Sequence, residues 1–165
     1  MNSHLYFICP TDHLELIIDN AFLGDSYFFA SLGNSMVFDE DLCFEIGNLM
    51  ELKGIQAITF ILSDKNKVIR DALLYQDFSR FGRLKGLYDE ITNHKEQSRS
   101  QGIQDARIHE LALSVHLDSK VKELMMKMPA QNLNVDAMIY DRVSKQFLEV
   151  NLNKIKDNRI GLGLN

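Results

Sequence analysis

ITFILSDKNKVI, residues 58–69, decides the fold. Ile58 to Leu62 is a β-branched and aromatic run, apolar enough for a strand covered on both faces. Ser63, Asp64, Lys65, Asn66 and Lys67 then form a polar turn that leads towards a helix. In α/β proteins the turn at the C-terminal end of such a strand often carries the chemistry. The whole strand is read as Ile55–Leu62.

Upstream, Asp39, Glu40 and Asp41 precede CFEIGNLMELKG. Acidic residues suit a helix N-terminus because they complement its partial positive charge. Leu42, Ile46, Leu49 and Met50 supply the apolar face, and Gly54 suits the C-cap. Leu5–Cys9 predicts a first strand, stopped by Pro10. Residues 12–23 carry apolar positions at helical spacing and end at Gly24. Ser26–Leu32 predicts a second strand, followed by a turn at Gly33-Asn34-Ser35. Strand–helix–strand at this spacing implies parallel pairing with a right-handed crossover.

Downstream, residues 66–128 predict mostly helix, broken near Ser98–Gly102. Ile108, Leu111, Val115 and Leu117 form one stripe, continued by Val121, Leu124, Met125 and Met128. Such a stripe is a core or interface face rather than a cofactor box. Pro129 ends it. Asn134–Asp141 and Gln146–Val150, joined by a short turn, predict a hairpin. The fold class expected is therefore α/β, with a mainly parallel central sheet flanked by helices and a C-terminal antiparallel hairpin. Residues 1–150 make one domain, and residues 151–165 a tail that is loose or docks on a partner subunit.

The chain of 165 residues can bury a genuine core. Its net charge of −5 at pH 7 argues against nucleic acid or an anionic membrane as the main partner. No apolar run approaches the ~18 residues needed to span a bilayer, and MNSHLYFICPTDH does not read as a secretion signal. Two cysteines, Cys9 and Cys43, make no disulfide framework and suit a reducing compartment, hence a cytoplasmic protein. No phosphate-binding glycine loop or Ser-His-Asp pattern is present.

Three stretches together resemble the β-class carbonic anhydrases. GDSYFFASLGNSMVFDED, from Gly24, resembles that family's strand ending in R-N-A-G-N and the acidic start of the next helix. FEIGNLMELKGIQAITFIL resembles its helix, turn and strand before H-x-x-C. NVDAMIYDRVSKQFLEV resembles its closing hairpin. The resemblance covers most of residues 5–150. It implies the family's strand order and a homodimer or higher homo-oligomer, with the ancestral site near the subunit boundary.

The family's chemistry needs a zinc ion on two cysteines and one histidine, whose bound water becomes a hydroxide that attacks carbon dioxide. In the family's C-x-D-x-R motif this chain has CPTDH. Cys9 falls at the ligand position, Thr11 at the Asp position and His13 at the Arg position; Asp12 replaces the missing Asp with a one-residue shift. At H-x-x-C, Leu62 falls at the histidine and Lys65 at the cysteine, and a shift by one brings Ser63 and Asn66 instead. Leucine has no lone pair and protonated lysine only donates. In R-N-A-G-N, Ala30 replaces Arg and Ser31 replaces Asn, while Gly33 and Asn34 match.

The resemblance thus implies a zinc-binding corner with its ligands removed. Cys9, Thr11, Asp12, His13, Ser31, Asn34, Ser63, Asp64 and Lys65 are the candidate pocket residues, with no catalytic residue assigned. Read by itself, Cys9 is a small buried hydrophobe at a strand end. Asp64, Lys65 and Lys67 read as a solvated turn or as a small anion site. The function expected is non-catalytic binding of a small anion or a protein partner, without cofactor. The alternative is a divergent carbonic anhydrase, a lyase, with zinc rebuilt on Cys9, His13 and a further group such as His4, His94 or His109. A third reading is a structural subunit paired with an active partner chain.

Overall fold

A computed structural model describes residues 3–129 and 133–150. Strand β1 (Ser3–Ile8) lies between β2 (Asp25–Ala30) and β3 (Ile55–Ser63), parallel to both. Strand β4 (Asn134–Asp141) adds parallel to β3, and β5 (Gln146–Glu149) adds antiparallel to β4. The order is β2-β1-β3-β4-β5. Every parallel strand therefore ends at the same edge of the sheet, where Cys9, Ser31, Ser63 and Arg142 follow or close the strands.

Helices α1 (Glu15–Ala21), α2 (Glu40–Lys53), α3 (Lys67–Leu74), α4 (Lys85–Ser100) and α5 (Asp105–Lys127) cover the sheet. Successive strand residues face opposite sides, and this splits the core in two. Leu5, Phe7, Ile58, Phe60 and Leu62 pack with buried residues of α2 to α5. Tyr6, Ile8, Ile61 and Tyr140 pack with Leu14 and with Ile18 of α1. The larger core centres on Phe7 and Phe60, stacked at 4.8 Å between ring centres, with Phe38 edge-on to both.

Helix α2 has the termini expected of it. The Asp39 carboxylate accepts from the Leu42 N–H at 2.9 Å, and Gly54 closes the helix at φ 63°. Cys43 is half-buried and packs against the larger core.

Three expectations need correction. The segment 12–23 is not one helix: Pro10–Asp12 is a 3-10 turn, His13 sits in the left-handed region at φ 52°, and α1 starts only at Glu15. The helical segment 66–128 breaks a second time, between Leu74 and Lys85. There Gln76 takes φ 56°, and the buried Asp71 carboxylate accepts from the Asp77 and Phe78 N–H groups and from Tyr88 Oη. A side chain thus replaces the helical acceptors. On α5 the inward face runs Ile108, Ala112, Leu113, His116, Leu117, Lys120, Val121 and Leu124, while Met125 is exposed. The face turns because His116 and Lys120 find acceptors inside. Residues 151–165, read as a tail, lie outside the described residues.

Candidate functional site

The corner where β1 and β3 end is built from two polar knots. In the first, Gly33 N–H donates to Cys9 Sγ at 3.1 Å, and Thr11 Oγ1 lies 3.1 Å from the same sulfur. Gly33 can approach because it has no Cβ. One added there would stand 2.8 Å from Leu87 Cδ2 and 3.1 Å from Val68 Cγ1, and the backbone is at φ 59°. Its carbonyl is also engaged, accepting from His116 Nε2 at 2.8 Å, while His116 Nδ1 lies 3.0 Å from a Glu90 carboxylate oxygen. Gly33 is thus held at both ends of its peptide.

In the second knot, Asp12 Oδ2 accepts from Ser63 N–H at 2.8 Å and from Asn66 Nδ2 at 2.9 Å. Asn66 Oδ1 in turn caps α3 by accepting from Ile69 N–H at 2.9 Å. Arg142, arriving from the end of β4, donates through Nε to Ser63 Oγ at 2.8 Å and through Nη2 to the Asp12 carbonyl. Its backbone N–H reaches Asp64 Oδ1 at 3.2 Å. Burial pushes the Asp12 carboxyl above its ordinary range, against the opposing effects of Ser63, Asn66, Arg142 and His13.

The sequence candidates divide accordingly. Asp12, not Thr11, is the carboxylate-bearing position that turns into the corner, where it meets Ser63; Asp64 and Arg142 close over it. Asn34 is fully buried and donates to the Phe7 and Ile61 carbonyls, each at 3.3 Å, tying β1 to β3. Ser31 Oγ contacts Met36 Sδ. Lys65 points outward, its side chain 57% exposed, with Nζ 3.7 Å from Asp64. His13 is exposed. His4 stands elsewhere, bonded to Thr59 Oγ1 at 2.7 Å and stacked on Tyr6.

Zinc does not fit this corner. Leu62 and Lys65, at the positions of two ligands by the resemblance, give a fully buried hydrocarbon and an outward ammonium. Cys9, which accepts from Gly33 N–H, is the one residue of the three ligand positions with a donor suited to zinc. Among the described residues, no three His, Cys, Asp or Glu side chains are grouped to hold a metal ion.

Sequence reasoning missed Arg142 and the His116–Glu90 pair. Arg142 had a usable signal: it directly follows a parallel strand, and parallel strands deliver their ends to one edge. His116 had none, since it sits 83 residues from the glycine it holds.

No family model matches the chain, and no curated protein matches it. Solved structures do. The wild-type β-carbonic anhydrase CafD of Aspergillus fumigatus aligns at TM-score 0.72 and 17% identity, over 90% of this chain and 89% of that one. A tetrameric β-carbonic anhydrase from Sordaria macrospora aligns at 0.68 and 15%, over 90% and 80%. The Coccomyxa β-carbonic anhydrase in complex with acetazolamide aligns at 0.68 and 10%, over 99% and 85%. Likeness at this level of identity is likeness of architecture, and the fold of this chain is the β-carbonic anhydrase fold.

Proposed function

We propose that this chain is a β-carbonic-anhydrase-like protein that works without the family's zinc site, as a non-catalytic binding protein for a small anion or a protein partner. One observation carries the reading: of the three ligand positions only Cys9 keeps a ligand side chain. Its sulfur lies against Gly33 N–H and Thr11 Oγ1, and the other two positions hold the fully buried Leu62 and the outward Lys65. A hydroxide-generating metal needs three protein ligands, and these positions offer one.

The protein works as a homodimer or higher homo-oligomer in this reading. Among the described residues strand β2 is an edge of the sheet, and exposed Leu23 and Leu32 flank it. Edges of that kind are normally covered. The Sordaria relatives are tetrameric. The free thiols suit the cytoplasm, and no helix among the described residues is long and apolar enough to cross a membrane.

The test is elemental analysis of tag-free protein produced with added zinc, followed by stopped-flow carbon dioxide hydration. Substoichiometric zinc and no hydration above buffer are expected. Stoichiometric zinc lost in Cys9→Ser, with hydration lost in parallel, would establish the rebuilt carbonic anhydrase instead. Light scattering after size exclusion reads the assembly, and a monomer at all concentrations would remove the oligomer.

A further inference from the structure

Away from the corner, α3, α4 and α5 enclose a cleft of about 230 Å³ lined by Arg70, Leu73, Leu74, Lys95, Arg99, Asp105, Ala106, Ile108 and His109. We propose that this cleft is a binding site for a small organic phosphomonoester, its dianionic head held by Arg70, Lys95 and His109 and its apolar body laid on Leu73, Leu74 and Ile108.

The argument begins with charge. The chain as a whole carries −5, yet the cleft gathers Arg70, Lys95 and Arg99 against the single carboxylate of Asp105. Arg99 is tied to that carboxylate, with Nε and Nη2 each 3.2 Å from an oxygen. An excess of two positive charges remains, and a dianion neutralises it where a carboxylate leaves half. Lys95 Nζ is anchored on the Leu73 carbonyl, which fixes the ammonium in place and leaves further hydrogens to donate. Arg70 makes no side-chain hydrogen bond or ion pair among the described residues. Its guanidinium is the planar fork suited to phosphate oxygens.

His109 supplies a second kind of observation. Its Nε2 is buried and has no hydrogen-bond partner among the described residues. A buried polar atom left unpaired costs free energy, and a ligand oxygen at this position would remove that cost. The remaining lining is hydrocarbon from Leu73, Leu74, Ala106 and Ile108, the mixed apolar floor and few polar groups usual for small-molecule sites. Inorganic phosphate would leave that floor uncovered, so the ligand carries an apolar substituent. The cleft's lining shares no residue with the corner, whose Lys65 and Asp64 reach His109 only through their charges.

Isothermal titration of the full chain with phenyl phosphate, inorganic phosphate and benzoate tests this. Phenyl phosphate is expected to bind saturably, and the other two at least about tenfold more weakly, the equivalent of one charge-assisted hydrogen bond or its apolar counterpart. Arg70→Gln should weaken phenyl phosphate by about tenfold or more, whereas Lys53→Gln, which removes a cation outside the cleft, should not. Chemical shift changes on binding should centre on His109 and Ile108. Absence of saturable binding overturns the site, as does equal loss in the two variants, which would reduce it to general electrostatics. Benzoate binding as tightly as phenyl phosphate overturns the dianion assignment.

Discussion

The corner and the cleft use similar side chains in opposite ways. At the corner Asp12, Asn66, Ser63 and Arg142 satisfy one another and Cys9 is held by Gly33, so that most polar groups there are spent, Asn34 Oδ1 being buried with no partner among the described residues. In the cleft, among the described residues, Arg70 makes no side-chain hydrogen bond or ion pair and His109 Nε2 is buried without a hydrogen-bond partner. Polar groups that stabilise a fold are spent inside it, whereas groups that bind are left unspent, usually at some cost to stability. Substitutions at the corner should therefore damage the fold, and substitutions in the cleft should leave it standing.

The largest effect is expected at Gly33. A methyl group there must push aside Leu87 and Val68 and also accept φ 59°. Overpacking typically costs about 1–3 kcal/mol and the left-handed backbone about 1–2 kcal/mol. Gly33→Ala should lose about 3 kcal/mol by urea denaturation. A loss within error would mean that the corner is loose, and the contrast with the cleft would fail.

Next comes Asp12→Ala, which strands the Ser63 N–H and one Asn66 N–H in a buried place. Each unsatisfied donor costs about 1–3 kcal/mol, offset in part because the buried carboxylate is itself desolvated. A net loss of about 2 kcal/mol is expected, and Asp12→Asn, which keeps an acceptor oxygen, should lose less. Equal losses would show that charge rather than hydrogen-bond acceptance holds the knot. Arg70→Gln, on the other side of the comparison, should change stability by no more than about 0.5 kcal/mol. A larger loss would place Arg70 in the structural class and remove it from the ligand's partners.

How much of this was legible in the sequence follows from the range of the forces involved. Strands β1 to β5 and the α2 caps were readable because each is written in contiguous residues: Val, Ile and Phe runs, an Asp before a helix, a Gly after it. The second break in the helical segment was not, because YQDFSRFG contains no proline. The acceptor that stabilises it, Asp71, lies upstream within a helix. The inward face of α5 was misread for a related reason. His116 and Lys120 look like solvent residues until Gly33 O and Met36 O are brought to them from more than 80 positions away. The corner was half legible. Missing zinc ligands can be read from Leu62 and Lys65, but the hydrogen bonds that Arg142, Asn66 and Gly33 make there depend on distant pairings. The cleft left no sequence signal, since Arg70, Lys95, Arg99 and His109 come from three helices whose packing sets their meeting.

The smallest expected effect is also the one that reports on the cleft directly. His109 sits below its ordinary value of 6.5, first because burial disfavours the imidazolium and then because Arg70 and Lys65 repel it, with Asp64 opposing. The unfolded chain then binds a proton near pH 6.5 that the folded chain refuses until lower pH. Stability is therefore complete above 6.5 and falls as pH drops through the folded value. His4 is lowered too, by burial, so the relevant quantity is the difference between wild type and His109→Gln. That variant should lose part of the slope on the acid side and keep stability unchanged above neutrality. A dianion beside Nε2 favours the protonated ring, so saturating phenyl phosphate should move His109 upward in an NMR titration of its ring proton and shrink the same slope. If the ring titrates identically with and without phenyl phosphate, the head group does not lie against His109, and the comparison between a spent corner and an unspent cleft loses its second side.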